Sequence, residues 1–442
     1  MKKRWLWLLT AAVWLFGLTG CSSFGADVEN QLRPPQSNGE QGRIETALGE
    51  YIASTLTQEN YVLKYPRGGD YRSAFVVEDL DGDGNVEALA FYRLGAENST
   101  THINLLHQVN GRWESMNDYT SQGADIERIA FGDMNGDGVR ELFVCWDMYS
   151  ARAYQLSMYE MNGNRITESF TTTCAQVVVG DLTGDGRDNC LLFHLGTSDL
   201  TASLWGMRGN VMEELGRAAV DVSVQRLRAA RIVPLTSERN GVFLDCLRNG
   251  DWLATELLYW DGERLVAPFY DDSVNGNTQT VRATDIASGD VDEDGVWEWP
   301  TCTLQSGFAY SSDNGADTTR WRTTFWSWDA AESKPVEKFS CYYNSTDGYY
   351  LQLDPVEGQA LTTSYNTKTR TLWIYPIVDG TTGEALLAIR ATLNGTSPEQ
   401  TGDFRQFRTF ASGDVLTYSV WYREESAYAL NLEKLQYMLT LL

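Results

Sequence analysis

The chain has 442 residues, which leaves room for one large domain and a smaller one. It carries 60 acidic residues against 35 lysines and arginines, and the formal net charge of −25 argues against binding to nucleic acid or to broadly anionic surfaces. Aromatic residues make up 12% of the chain, a share that suits a protein with many short strands.

The N-terminus has the features of an export signal. Lys2-Lys3-Arg4 is basic, and the apolar stretch from Trp5 to Leu18 is short for a membrane span. The segment Leu18-Thr19-Gly20-Cys21 resembles the bacterial lipobox, which implies cleavage before Cys21 and lipidation of that cysteine. We therefore expect residues 1–21 to be a lipoprotein signal peptide, and the chain to be lipid-anchored on the extracytoplasmic face of a bacterial cell membrane. A secretory signal cut without lipid is the alternative.

Two further segments precede the repeats. Residues 22–41 are polar, include Pro34-Pro35 and have little to bury, so they are expected to form a flexible tether. Residues 42–70 contain a short amphipathic helix with Ile44, Leu48 and Ile52 on one face, followed by a lead-in to the first repeat.

Four acidic loops dominate the next part of the chain. Each has oxygen-bearing side chains at loop positions 1, 3, 5 and 9 and glycine at position 6, which is the ligand pattern that a hard cation such as Ca²⁺ needs. An EF-hand would need Glu at position 12 and helices on both sides, but position 12 is Ala, Val, Leu or Thr here and strand-like segments flank the loops. The loops are Asp79–Glu87 (loop 1), Asp133–Glu141 (loop 2), Asp181–Asn189 (loop 3) and Asp290–Glu298 (loop 4).

The loops recur with a period of roughly 50 residues, which indicates a solenoid, a propeller or another array. The gap before loop 4 is about two periods, so one unit has lost its loop; Leu235–Gly241 is the candidate position. Each unit reads as four short antiparallel strands, the composition of a propeller blade. Hairpin signals follow the loops at Asn110-Gly111, Asn162-Gly163, Arg208-Gly209 and Asp261-Gly262.

These segments resemble a known family. Val77–Gly84, Phe131–Gly138 and Val179–Gly186 look like FG-GAP repeats, also called VCBS-type repeats, which are similar to the calcium-binding blades of integrin α-subunits. The resemblance implies a β-propeller with two to four structural Ca²⁺ ions, each held between two strands of a blade. The implied ligands are side chains at positions 1, 3, 5 and 9 and the backbone carbonyl at position 7: Asp79, Asp81, Asp83, Asn85 and Glu87; Asp133, Asn135, Asp137, Val139 and Glu141; Asp181, Thr183, Asp185, Arg187 and Asn189; Asp290, Asp292, Asp294, Val296 and Glu298.

The loops differ in charge. Loops 1 and 4 bring four carboxylates each, loop 2 brings three and loop 3 only two, because Thr183 and Asn189 stand where acids are usual. Loop 4 also has Glu293 where the other loops have glycine. Since clustered carboxylates repel until a cation joins them, we expect occupancy to fall from loops 1 and 4 through loop 2 to loop 3.

The last hundred residues differ from the repeats. Strands are predicted at Thr371–Val378, Ala385–Leu393 and Phe407–Tyr422, and a terminal helix capped by Asn431 carries Leu432 to Leu442. This pattern favours a small α+β domain at 343–442 after a five-bladed propeller at 71–342. Two degenerate blades in this region, giving seven in total, are the alternative.

Sequence motifs give little support for catalysis. HExxH, GxSxG and phosphate-cradling glycine loops do not occur, and there are only three histidines. We predict that the chain is not an enzyme but a surface module that binds an extracellular protein or glycan. The alternative is an extracellular polysaccharide- or polymer-degrading enzyme with the propeller as scaffold.

Cysteines at matching positions of different units, such as Cys145 and Cys190, are expected to lie far apart and stay unpaired. Pairing of Cys174 or Cys341 is left open.

Overall fold

The computed structural model describes residues 39–58, 60–95, 100–123, 125–148, 153–197, 199–248, 252–309, 317–356, 360–393, 404–412 and 414–442; for 405–412 and 414–415 it describes the backbone only. The predicted signal peptide, Cys21 and most of the predicted tether lie outside these residues. The described chain forms two compact units. The first contains the residues up to Tyr65 with Arg72–Gln122 and Asn162–Ile166, and the second contains the remainder.

Each acidic loop of the first three units connects two strands of an antiparallel sheet. Helix α1 (Glu40–Thr55) starts two residues inside the predicted tether, because Glu40 already belongs to its first turn. Sheet 1 contains β1 (Tyr61–Leu63), β2 (Phe75–Glu78), β3 (Glu87–Leu94), β4 (His102–Val109) and β5 (Arg112–Thr120); sheet 2 contains β6 (Asp125–Gly132), β7 (Glu141–Asp147), β8 (Tyr154–Asn162) and β9 (Arg165–Cys174); sheet 3 contains β10 (Gln176–Gly180), β11 (Asn189–Leu195), β12 (Leu200–Arg208) and β13 (Val211–Ala219).

The fourth sheet has no acidic loop. Its first two strands meet in a tight turn in which Thr236 pairs with Arg239, within the segment where the sequence predicts a lost loop. Sheet 4 contains β14 (Val224–Thr236), β15 (Arg239–Arg248), β16 (Leu253–Trp260) and β17 (Leu265–Val266), and a separate two-stranded sheet follows with β18 (Tyr270–Asp271) and β19 (Gly276–Asn277).

The strands that leave loops 1, 2 and 3 are buried on both faces, which explains their mostly apolar sequences. Residues 88–92 of β3, 142–146 of β7 and 190–193 of β11 are all buried. Outer strands such as β9 instead alternate between buried and exposed side chains. One core cluster contains Cys145, Cys174 and Cys190, so the expectation that Cys145 and Cys190 lie far apart is wrong: neighbouring sheets face each other and bring matching positions together. Six cysteines in the described chain are free thiols.

Loop 4 leads into sheet 5. A bridge between Gly289 and Glu298 closes the loop, and a short 3-10 helix at Thr318–Arg320 precedes the second strand. The predicted domain boundary at 342–343 falls inside the third strand. Sheet 5 contains β20 (Trp299–Leu304), β21 (Trp321–Asp329), β22 (Lys334–Asn344), β23 (Tyr349–Leu351) and β30 (Leu439–Leu441).

The C-terminal region forms a sixth sheet and a helix. Helix α2 (Leu432–Met438) is capped by the Asn431 side chain, which accepts from Lys434 N at 2.8 Å, but it ends four residues before the predicted end at Leu442. The chain then turns into β30, which pairs with β23 because this strand would otherwise leave an open sheet edge. Sheet 6 contains β24 (Ala360–Asn366), β25 (Thr371–Val378), β26 (Thr381–Thr382), β27 (Leu387–Leu393), β28 (Arg405–Ser412) and β29 (Asp414–Tyr422). None of the helices in the described ranges has the length and apolar character of a membrane span.

Candidate metal loops

A shared set of hydrogen bonds holds all four loops in one shape. The side chain at position 9 accepts from the backbone N–H at position 2, at 2.8–3.0 Å. The aspartate at position 1 accepts from the glycine N–H at position 6, at 2.9–3.0 Å. In loops 1, 2 and 3 the second oxygen of the aspartate at position 1 also accepts, from the N–H at position 4, at 2.7–2.8 Å. Hydrogen bonds to the loop backbone therefore fix the predicted ligands at positions 1 and 9.

Position 4 requires a left-handed backbone. Its φ is 72° at Gly82, 78° at Gly136 and 76° at Gly184, and Glu293 takes the same conformation at 60°. A residue with a Cβ atom pays a steric cost there that glycine avoids. Glu293 therefore strains the backbone of loop 4 at the position where the other three loops have glycine.

Loop 1 brings three acids together. Carboxylate oxygens of Asp79, Asp81 and Glu87 all lie within 4.8 Å of one another. Glu87 is only 5% exposed, and burial raises the pKa of its carboxyl group. Three clustered carboxylates with one of them buried are a donor set that fits a divalent cation with oxygen ligands.

Loop 2 shows a weaker version of this arrangement. The amide of Asn135 donates to Asp137 Oδ2 at 3.1 Å, so a neutral hydrogen-bond donor stands at the position where loop 1 has the carboxylate of Asp81. Burial raises the pKa of Glu141 to about 7. The loop is also tied to its neighbour: Asp133 N donates to Asp188 Oδ2 at 2.8 Å, and Asp188 N donates to Asp133 O at 2.9 Å. Asp188 was not among the predicted site residues, because its role crosses from loop 3 to the adjacent sheet.

Loop 3 supplies hydrogen bonds and a positive charge from its own residues, although the buried Thr183 Oγ1 has no hydrogen-bond partner. Asn189 Oδ1 accepts from Leu182 N and Thr183 N, both at 3.0 Å. The guanidinium of Arg187 donates to Asp185 Oδ2 at 2.7 Å and so supplies a positive charge from within the loop. The sequence predicts the lowest calcium occupancy for loop 3, and these internal hydrogen bonds are in line with that prediction.

A lysine side chain that the sequence analysis missed lies beside the acids of loop 4. Oxygens of Asp290, Asp292 and Asp294 lie within 4.8 Å of one another. The ammonium of Lys338 on β22 hydrogen-bonds Asp294 and lies 3.8 Å from Asp292 Oδ2 and 3.9 Å from Glu298 Oε1. The hydrogen bond from Lys338 lowers the pKa of Asp294, whereas burial raises the pKa of Glu298 to about 7.

A β-bulge accounts for the reach of Lys338. Phe325 pairs with Phe339 and Trp326 pairs with Glu337, so the register skips Lys338. Bulges re-aim side chains. The matching strand pairs of sheets 1 and 3 skip Met116 and Leu215 in the same way. A comparison of β21 and β22 with the corresponding pairs β4 and β5 of sheet 1 and β12 and β13 of sheet 3 is the sequence signal that could have identified Lys338.

The donor sets of loops 1 and 4 fit Ca²⁺ best. In loop 4, Glu298 is fully buried and its Oε1 has no hydrogen-bond donor, although the Lys338 ammonium lies 3.9 Å away. Asp79, Asp81 and Glu87 in loop 1, and Asp290, Asp292 and Asp294 in loop 4, would hold the ion. A bound ion would supply the positive charge that lets these carboxylates approach one another.

Two of the three histidines, His102 and His194, make contacts within their own sheets. His102 Nδ1 lies 2.7 Å from Asp118 Oδ2, which is a contact within sheet 1. His194 Nε2 lies 2.7 Å from Ser203 Oγ, and burial lowers the pKa of this imidazole.

The sequence model of the FG-GAP-like repeat matches residues 79–144, which contain loops 1 and 2 and the strands between them. The chain carries FG-GAP-like repeats. The predicted fold class, mainly β with propeller-type four-stranded sheets, is confirmed. The number of blades and the separate C-terminal domain stay predictions.

Comparisons with solved structures give distant similarities. The chain is 14% identical to the exotype rhamnogalacturonan lyase YesX at a TM-score of 0.28, covering 70% of this chain and 62% of that one. It is 11% identical to a Bacillus licheniformis rhamnogalacturonan lyase (TM-score 0.33, 71% and 74% covered) and 9% identical to an exo-β-1,3-galactanase from Phanerochaete chrysosporium (TM-score 0.27, 81% and 90% covered). Curated proteins give no match.

The prediction that the chain is not an enzyme is wrong as it stood. The finding against it is that rhamnogalacturonan lyases and an exo-β-1,3-galactanase are among the structures to which the chain is similar. Similarity at these scores assigns neither a substrate nor a catalytic residue to this chain.

Proposed function

We propose that this protein binds Ca²⁺ through its acidic loops and that the bound ions stabilise the hairpins that carry them. The observation that supports this most directly is loop 1, where three carboxylates, one of them buried, lie within 4.8 Å of one another. Metal binding is then coupled to the folding of the hairpin between β2 and β3. Extracellular calcium modules bind with Kd of about 10⁻⁴ to 10⁻³ M, and we expect that range here.

Thermal unfolding with and without calcium tests the proposal. At 10 mM calcium and a Kd of about 1 mM, each occupied site adds roughly 1.4 kcal/mol to the free energy of unfolding. Asp81→Asn places in loop 1 the side chain that loop 2 carries as Asn135, so the fold tolerates it while the loop loses a charge. We expect a smaller calcium-induced rise in Tm for this variant.

Asp272→Asn is the matched control, because Asp272 is exposed and lies outside the loops. Its calcium response should equal that of the native protein. A Tm that responds equally to calcium and magnesium, or does not respond at all, would contradict the proposal.

The protein's place of action is proposed to be the outer face of a bacterial membrane, reached through lipid on Cys21. There it would engage an extracellular protein or glycan, in a binding or degradative role. Calcium outside the cell is abundant, and a loop with a millimolar Kd is suited to that compartment. Replacing Cys21 with Ser should move the protein from the membrane fraction to the soluble fraction; retention in the membrane fraction would contradict the anchor.

A further inference from the structure

Strand β14 carries a basic patch in an acidic chain. Arg226, Arg228 and Arg231, which we call the arginine row, are all exposed on this strand, whereas the chain as a whole has a net charge of −25. The corresponding first strands of sheets 1, 2 and 3 carry one arginine among them, Arg128 on β6. Within the described chain β14 is also an edge strand of sheet 4, since it pairs with β15 alone.

A β-bulge places the three arginines on one face of sheet 4. Arg226 pairs with Leu247 and Arg231 pairs with Phe243, so the two arginines are five residues apart while their partners are four apart. Cross-strand partners point to the same face, and the two arginines therefore share one face. Arg228 lies two residues after Arg226, in the bulge, and is on that face as well. Without the extra residue, strand alternation would put Arg226 and Arg231 on opposite faces.

The packing of the neighbouring residues gives the same assignment. Leu227, Ala230 and Ile232 pack against a core cluster that is shared with sheet 3. Val233 belongs instead to the cluster that contains Phe243. One face of β14 is therefore apolar and covered by sheet 3, and the arginine row lies on the other face, where its side chains are exposed.

The arginine row has few acidic partners. In the part of the chain that the structure describes, the first two arginines have no ion pair, and the third, Arg231, places Nη1 3.5 Å from Asp70 Oδ1. This contact is weak, because 58% of the Arg231 side chain and 80% of the Asp70 side chain are exposed. Asp245 lies opposite the bulge but is already paired with Arg282 at 3.1 Å. The row thus offers guanidinium donors to an anion from outside the chain.

The spacing of the arginine row restricts the shape of a partner. The residues of β15 that lie opposite the three arginines are two apart, so neighbouring arginines start about 7 Å apart along the strand. In an extended peptide, side chains at alternate positions repeat at the same distance of about 7 Å. A single extended chain can also touch the row alone, whereas a nucleic acid duplex or a membrane would bring its anionic surface against the acidic remainder of this chain.

We propose that the arginine row docks an extended acidic peptide segment of an extracellular partner protein, with Asp or Glu at alternate positions. Each carboxylate accepts from one guanidinium in a charge-assisted hydrogen bond. The register shifts of β14 interrupt its edge, so the contacts are made by side chains and not by the addition of a backbone strand. This inference rests on the proposed extracellular binding role and names the chemistry of the partner.

Fluorescence anisotropy with two isomeric peptides tests the spacing. Both carry an N-terminal fluorophore, three Glu and four Ser; in one peptide Glu and Ser alternate, and in the other the three Glu are contiguous at the centre. The buffer contains about 1 mM calcium and about 20 mM salt, because exposed charges are little screened at low ionic strength. The alternating peptide should bind about threefold more tightly, since an extended contiguous block presents two carboxylates to one face and not three.

Single substitutions identify the residues that bind. Arg226→Gln, Arg228→Gln and Arg231→Gln should each weaken binding of the alternating peptide about threefold. Asp70→Asn should strengthen it, because this change releases Arg231 from its one acidic contact among the described residues.

Arg264→Gln is the matched control. It removes the same charge next to β17 of sheet 4, but Arg264 pairs with Asp261 and lies outside the row. This variant should bind the alternating peptide as the native protein does. Equal binding of the two peptides, or row variants that bind as Arg264→Gln does, would overturn the inference.

Anionic probes of other classes test the choice of a peptide. Trigalacturonate and phosphatidylserine vesicles are titrated against the bound alternating peptide. Tighter binding of either probe than of the peptide would overturn the inference in favour of a glycan or a membrane. If neither peptide binds and the row variants aggregate in light scattering, the row protects a sheet edge and the inference is wrong.

Calcium thermal shifts without peptide separate this inference from the proposed metal binding. A protein that responds to calcium but binds neither peptide loses the docking surface alone. A protein that binds the alternating peptide and loses this binding in the row variants, but has no calcium response, keeps the docking surface and loses the metal proposal.

Discussion

Lys338 is expected to compete with calcium for loop 4. Lys338→Met removes the ammonium and places at the bulge of β22 the residue that sheet 1 carries there, Met116. The backbone of the bulge should therefore be kept. By carboxylate count alone, loop 4 should bind calcium as tightly as loop 1. The ammonium of Lys338, however, must move away from Asp292 and Glu298 before an ion can bind.

The size of the effect follows from the distances. Two unit charges about 4 Å apart interact by about 1 kcal/mol even in a water-like dielectric, and Lys338 lies 3.8 Å from Asp292 and 3.9 Å from Glu298. The contact with Asp294 is exposed to solvent and adds little. At a pH where Glu298 is ionised, loss of the two less exposed pairs should tighten calcium binding at loop 4 by about 2 kcal/mol, or roughly 30-fold in Kd.

Terbium luminescence can report on loop 4 alone. This loop has Trp297 at position 8, where loops 1, 2 and 3 have Val86, Arg140 and Asp188, so excitation of tryptophan sensitises an ion in loop 4 preferentially. Calcium is titrated against bound terbium in each variant, and loss of the signal in Trp297→Phe verifies the assignment.

Two lysine variants serve as controls. Lys338→Arg keeps the charge and should bind calcium as the native protein does, and Lys334→Met removes a lysine that pairs with Glu332 outside the loop. If Lys338→Met binds calcium no more tightly than Lys334→Met, the reasoning about competition is refuted.

Three other predictions concern the loops and the chain end. In the calcium-free protein the pKa of Glu141 and of Glu298 is about 7, above the usual value of a glutamate, so the native state holds protons that the unfolded state has lost. Stability should then fall as pH rises from about 4.5 to 7; calcium should remove this loss, and unfolding of Glu141→Gln and Glu298→Gln with chelator should show a flatter pH profile. Glu293→Gly should raise the free energy of unfolding by about 0.5–1 kcal/mol, because glycine adopts the left-handed backbone there without steric cost. Gly84→Ala, at φ 89° with open space around it, should lower the free energy of unfolding by about 1–2 kcal/mol. Equal urea midpoints for the two variants would contradict this. Removal of residues 439–442 should lower Tm and promote aggregation, measured by light scattering, because β23 becomes an edge strand; unchanged scattering would exclude that role for β30.

The parts of the site that could be predicted from sequence are local. Positions 1 and 9 of a loop are joined to backbone N–H groups only a few residues away, so Asp79, Glu87 and their counterparts follow from spacing alone. Lys338 could not be found this way, since its approach to Asp294 depends on strand register and on a bulge. Asp188 lay within a predicted loop, but its bonds reach the adjacent sheet.

Similar reasons explain the differences in the fold. Strand β25 was predicted with its observed bounds because Thr371–Val378 is a clear apolar run. The last residues have the leucine spacing of a helix, yet Leu439–Leu441 pairs as a strand because β23 offers unpaired backbone groups. Tertiary pairing outweighs local periodicity over so few residues.

The two hydrogen bonds between Asp133 and Asp188 couple loop 2 mechanically to loop 3 of the next repeat. Loop 3 has only two carboxylates among its predicted ligands, yet Asp188 in it hydrogen-bonds to the backbone of Asp133, the first aspartate of loop 2, which has three. An ion that stiffens one repeat can in this way preserve the shape of the next. A tandem array built like this can lose cation ligands from one member by mutation and still keep that member folded.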